Sequence, residues 1–170
     1  SLAVGNIDMD SDPELIVGAP TSLSGRGKVY IFDIVGSGGT FSDHTDLKTV
    51  LNGQVSDTDF GKALSIGDWN GDGREDLAIA SDNEVTVLYG GTDMNPDMVL
   101  APLTATGLSE ISTVVFMATS TTSTREDLYI GCPDISGGKV AIYYGAASPD
   151  ATVDKLINAP TGAKDFGTSI

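Results

Sequence analysis

The stretch GDWNGDGREDLAIAS, Gly67 to Ser81, puts four acidic residues and an asparagine into Asp68–Asp76 and then turns at once into an apolar run. An EF-hand calcium loop would need a glutamate at the twelfth position counted from Asp68, with helices on both sides. The twelfth position is Ile79, and the residues after the acids read as a strand. The EF-hand is excluded, which leaves a cation loop set between two strands.

Composition points the same way. The chain has 170 residues, 40% of them hydrophobic, enough to bury a core. It carries 21 glycines, only nine lysines plus arginines, and a formal charge of −15. Such a surface repels phosphate backbones and anionic lipid, so nucleic acid and acidic membranes are excluded as partners. The charge is concentrated. Asn6–Glu14 holds four carboxylates and no basic residue, and Asp68–Asp76 holds four against one arginine. That concentration needs a local reason.

Other reactive residues are sparse. Cys132 is the only cysteine and lies in the apolar LYIGCP, where a buried thiol is expected. His44, the only histidine, sits in the polar FSDHTDLK with no partner motif, which reads as a surface loop. No apolar run reaches transmembrane length, and SLAVGNIDMD lacks the basic segment of a signal peptide.

Helical periodicity is hard to find. Short β-rich runs dominate (KVYIFDIV, EDLAIAS, EVTVLYG, STVVFMA, EDLYIGC and KVAIYYG), with Gly, Asp, Asn and Ser clusters between them. Aligned on the acidic loops, Gly5–Pro20 matches Gly67–Ser81, with Asn6 over Asp68, Asp8 over Asn70, Asp10 over Asp72 and Glu14 over Asp76. A third copy, ATSTTSTREDLYIGCP from Ala118 to Pro133, repeats the REDL of Arg74–Leu77 verbatim. A spacing of roughly fifty to sixty residues suits one four-stranded propeller blade. The expected fold is all-β, with blades of four antiparallel strands. The expected units are 1–52 (lacking its first strand), 53–104 and 105–160, with 161–170 opening a further one.

DFGKALSIGDWNGDGREDLAIAS resembles an FG-GAP repeat, the blade unit of the β-propeller heads of integrin α subunits. Phe60-Gly61 supplies the FG element and Gly18-Ala19-Pro20 the GAP element, with Gly131-Cys132-Pro133 a variant of it. In the third unit Ile111-Ser112 stands where Phe-Gly is expected.

Alternating oxygen-bearing side chains allow a tightly curled loop to turn every second one onto a single point, and Gly71 and Gly73 permit the curl. Hard oxygen donors without His or Cys favour Ca²⁺. In the second loop the expected ligands are Asp68, Asn70, Asp72, the carbonyl of Arg74, and Asp76. In the first they are Asn6, Asp8, Asp10, the carbonyl of Asp12, and Glu14. The resemblance implies the same roles. The third loop offers Thr119, Thr121, Ser123 and Asp127, too little charge to hold calcium. The metal is expected to be structural, pinning a loop between strands.

Integrin-type propellers have seven blades, and propellers in general at least four. The terminal DFGTSI read onto SLAVGNIDMD makes nearly one unit. Two readings stay open: a segment of a longer propeller, or a C-terminal strand that completes the first blade of a neighbouring copy or closes a ring assembled from several chains. The leading functional expectation is a non-catalytic, extracellular adhesion or protein-interaction scaffold. Its candidate ligand loops are TSLSGRGK, VSDTD and SDNE, for a protein or glycan partner. An accessory module of a secreted or cell-surface enzyme and a carbohydrate-binding propeller are the alternatives. Trp69 and Tyr143-Tyr144 are the candidates for stacking on sugar, although Trp69 is expected to pack on the adjoining blade and one tyrosine to face inward.

Overall fold

The computed structural model describes residues 1–8, 10, 12–34, 47–54, 58–91, 110–119, 124–133 and 137–170, with the backbone of 98–100. His44, Thr121, Ser123 and the first three residues of VSDTD lie outside them. The described residues contain no α-helix, only a 3-10 turn at Leu23–Gly25.

Among the described residues, twelve strands form three four-stranded sheets, each antiparallel throughout and ordered as in the chain. The first comprises β1 (Leu2–Gly5), β2 (Glu14–Ala19), β3 (Lys28–Asp33) and β4 (Leu47–Asn52), so this unit has its opening strand, contrary to the expectation that 1–52 lacks it. The second comprises β5 (Ala63–Gly67), β6 (Asp76–Ala80), β7 (Val85–Leu88) and β8 (Met98–Leu100). The third comprises β9 (Thr113–Met117), β10 (Asp127–Cys132), β11 (Lys139–Tyr143) and β12 (Lys155–Asn158). The first strands of successive sheets pack side by side, β1 on β5 and β5 on β9. Three meanders stacked in this way are propeller blades.

The side-chain period of two explains why DLAIA is apolar without a break. On β6, Leu77 and Ile79 join Ile16, Val29 and Ile31 in the core facing the first blade. Ala78 and Ala80 point the other way, into the core shared with Val114, Phe116, Leu128 and Ile130 of the third. A strand sandwiched on both faces has no polar side to show. Cys132 belongs to that second core. Burial pushes its thiol up to about 11. An aromatic disulfide reagent at pH 8 should therefore leave the native protein unmodified and label it fully in denaturant.

Each blade is locked onto the previous one by one apolar residue. Phe60 donates its N–H to the Arg26 carbonyl at 3.1 Å and bridges Gly27, and Phe166 bridges Gly138 in the same parallel sense. Between them Ile111 donates to the Asp82 carbonyl at 3.0 Å and is fully buried. The residue before each plug is left-handed: Asp59 (φ 57°), Glu110 (φ 58°) and Asp165 (φ 54°).

Ile111 therefore fills the place of Phe60, but Ser112 does not reproduce Gly61. Gly61 and Gly167 have φ of 87° and 90°, a region a serine avoids, and Ser112 is not left-handed. β9 accordingly starts one residue sooner after its plug than β5 does, and the following loop is one residue longer. Asp76 is paired with Gly67, whereas Asp127 is paired with Met117 rather than Ala118.

Candidate metal centre

The second loop joins β5 to β6 and is a ladder of side chains accepting backbone N–H groups. Asp68 Oδ1 accepts from Gly71 at 2.7 Å and Asp72 at 3.1 Å, and its Oδ2 accepts from Gly73 at 3.0 Å. Asn70 Oδ1 accepts from Asp72 at 2.8 Å and Asp72 Oδ1 from Arg74 at 2.9 Å. Gly71 and Gly73 supply the positive φ values, 76° and 85°, that close the curl. Asp76 is fully buried at the start of β6. One of its oxygens takes the Trp69 N–H at 2.9 Å and the other the Gly90 N–H at 2.9 Å. Burial outweighs these bonds and pushes its carboxyl up to about 6.

The first loop, between β1 and β2, repeats the ladder, with Asp10 N–H on Asp8 at 3.1 Å and Asp12 N–H on Asp10 at 2.8 Å. The Asn6 side-chain amide donates to the Asp10 carbonyl at 2.6 Å. Glu14 takes the Ile7 N–H at 2.8 Å, as Asp76 takes that of Trp69. Its second oxygen differs. Ile34 occupies the place of Gly90, and its N–H goes to the Pro13 carbonyl, so Glu14 Oε1 is buried without a partner. Burial, chiefly, pushes the Glu14 carboxyl up to about 7, and the Asp8 charge adds to it.

Among the described residues, one group of acidic side chains has its oxygens within 4.8 Å of one another: Asp8, Asp10, Glu14 and Asp33. Asp33 ends β3 opposite Glu14. Lys48 of β4 reaches into this group. Its ammonium contacts Asp8 Oδ2, lies 2.8 Å from Asp33 Oδ1 and 3.3 Å from Asp10 Oδ2. Burial opposes its charge, but Asp33, Asp8 and Asp10 together raise the Lys48 pKa.

In donor chemistry both loops suit a hard cation, since their side chains offer oxygen and no soft donor, but among the described residues only the first brings its carboxylates together; Asp68, Asp72 and Asp76 form no such group. In the third loop Asp127 is already satisfied. It accepts from Thr119 Oγ1 at 2.5 Å and Gly145 N–H at 2.9 Å.

Compared with known families, residues 1–32 match the FG-GAP repeat. The first blade carries an FG-GAP repeat. No curated protein matches the chain. The match ends within β3, so it spans the first loop and the Gly18-Ala19-Pro20 element of that repeat.

The duplicated REDL has a structural counterpart. Glu75, just ahead of Asp76, reaches back to the preceding FG-GAP loop and accepts the Asn6 N–H at 2.6 Å. Glu126 takes the Asp68 N–H in the same manner, while Arg125 Nε donates to the Asn70 carbonyl at 3.3 Å. The glutamate of each loop thus braces the loop before it, joined in the third loop by Arg125, whereas Arg74 lies 3.8 Å from Asp72 of its own loop. A cleft of about 310 Å³ lined by Asn6, Asp10, Gly73, Arg74 and Glu75 marks the same joint between the first two loops.

Sequence reasoning missed Asp33 and Lys48. The signal was weak but present. KVYIFD ends in aspartate where the corresponding strands run into Tyr89 and Tyr144. Trp69 is wholly buried, 6.5 Å from both Tyr89 and the Phe116 ring of the third blade, which removes it as a sugar platform. Of the tyrosine pair, Tyr143 is buried and Tyr144 is 49% exposed.

Proposed function

We propose that this chain is a calcium-stabilised, non-catalytic β-propeller scaffold for adhesion or protein interaction outside the cell. The observation that carries the reading is the second loop. Four oxygen-bearing side chains at Asp68, Asn70, Asp72 and Asp76 are curled by two left-handed glycines at a blade joint. A bound Ca²⁺ would neutralise them and tie β5 to β6, with Asp68, Asn70, Asp72, Asp76 and the Arg74 carbonyl as ligands. Its chemistry there is electrostatic cross-linking of the loop. The Arg125-Glu126 brace passes that rigidity to the next blade.

The partner is a protein or a glycan met by exposed loops on a propeller face. The acidic surface argues against nucleic acid, and no helix among the described residues is long and apolar enough to cross a membrane. Thermal melting tests the metal role. Calcium at a hundredfold over its dissociation constant should add about 2.7 kcal/mol, or roughly 5–10 °C at this chain length. Asp72→Ala should abolish that increment, and an unchanged calcium response in Asp72→Ala would overturn the reading.

A further inference from the structure

The first loop differs from the second by two residues that come from elsewhere in the same blade. Asp33 stands at the end of β3, and Lys48 stands in β4 where the register breaks. Ile31 pairs with Thr49 but Phe32 pairs with Leu47, so Lys48 is the extra residue of a β-bulge. A bulge re-aims its side chain, and this one turns toward the loop. There the ammonium touches Asp8, Asp10 and Asp33, three of the four carboxylates whose oxygens converge. The fourth, Glu14, is completely buried; one of its oxygens belongs to the convergent group, and its Oε1 has no hydrogen-bond partner. A buried carboxylate that keeps one oxygen unpartnered beside three other carboxylates calls for a nearby positive charge.

We propose that Lys48 is a tethered cation of the first loop, an ammonium that holds the Asp8–Asp10–Glu14–Asp33 cage closed and competes with calcium for it. The inference rests on the calcium reading above for the competitor's identity, but not for the ammonium's own role. Its consequence is a division of labour. The first blade is closed in the absence of metal, and the second takes the metal. A site with its own cation needs no calcium to overcome carboxylate repulsion, and calcium must displace a neutralising group to enter. Methionine keeps the unbranched stem of lysine and loses the charge, which makes Lys48→Met the direct probe.

The experiment uses the whole chain in an Asp72→Ala background, so that the second loop is disabled. In EDTA, Lys48→Met should melt about 5–10 °C below its parent, while Lys48→Arg, which keeps a cation, should fall by less than half as much. Millimolar CaCl₂ should restore Lys48→Met and leave the parent's melting temperature unchanged. Adding Asp10→Asn, an exposed member of the cage, should weaken the rescue. Calorimetric titration should show calcium binding to the first loop of Lys48→Met at least tenfold more tightly than to that of the parent. An unchanged melt in EDTA overturns the proposal, as does equal calcium affinity with and without Lys48. So does a variant that stays unfolded or unrescued in calcium. The native chain, titrated alongside, separates the two readings. If native protein ignores calcium while Lys48→Met is rescued, the second-loop assignment fails and the tethered cation stands. The opposite pattern leaves the second loop standing and removes Lys48.

Discussion

Trp69→Ala should cost about 3–5 kcal/mol, the largest loss expected from any single truncation in this protein. Trp69 is completely buried at the foot of the second loop, against Tyr89 of its own blade and Phe116 of the next. Its backbone N–H also caps Asp76, so the side chain anchors the loop at the position where Ile7 anchors the first. The indole N–H has no partner, so removing it restores a little of what the cavity takes away. At this chain length that loss lowers the melting temperature by about 6–20 °C. Trp69→Phe, which keeps most of the ring contacts, should lose less than half as much. Chemical denaturation monitored by far-ultraviolet circular dichroism would measure both. A cost under 1 kcal/mol for Trp69→Ala would mean that the two blades are not joined through this residue.

Gly18→Ala should destabilise the protein by about 2–3 kcal/mol although it adds one methyl group. A Cβ at Gly18 would overlap the carbonyl oxygen of Gly61, the glycine that follows the Phe60 plug, and the Ser1 hydroxyl. The obstacle is backbone, which cannot swing aside as a flexible side chain can. Gly131 faces the Gly167 carbonyl in the same way. The joint between the second and third blades is the informative exception. Ala80 holds the corresponding position on β6, and there the FG glycine is replaced by Ser112. Two small residues in contact are lost together, so Ala80→Gly is expected to shift the melt far less than Gly18→Ala. A tolerated Gly18→Ala would show that the first two blades sit further apart than this packing requires.

Much of this architecture could be read from residues that report their own surroundings. The β-rich runs and the Phe60-Gly61 pair carry local meaning, so strands and their repeat follow from sequence, whereas the burial of DLAIA on both faces and the interblade place of Phe60 emerge only from the packing. The loop ladders are legible for the same reason: Asp and Asn accept N–H groups two residues onward wherever the backbone curls. What could not be read is what depends on distant register. Asp33 and Lys48 reach the first loop only because β3 pairs with β2 and because β4 carries a bulge, and neither fact is written near Asp8. The longer third loop was hidden for a related reason. Replacing a left-handed glycine by Ser112 shortens one turn, and an extra residue ten or so positions later restores the pairing. Aligning the REDL segments conceals both changes.

The duplicated REDL is also understood only in three dimensions. Its aspartate bonds within its own blade, whereas its glutamate, and in the third blade its arginine too, serves the loop of the preceding blade. That explains how the third loop can lack a calcium donor set and still carry the same four residues.

A crystal structure grown in millimolar calcium, with anomalous data, tests the central claim most directly. The expected result is a calcium peak enclosed by Asp68, Asn70, Asp72 and Asp76, and the Lys48 ammonium rather than a metal among Asp8, Asp10, Glu14 and Asp33. A second loop that remains empty at that concentration would contradict it.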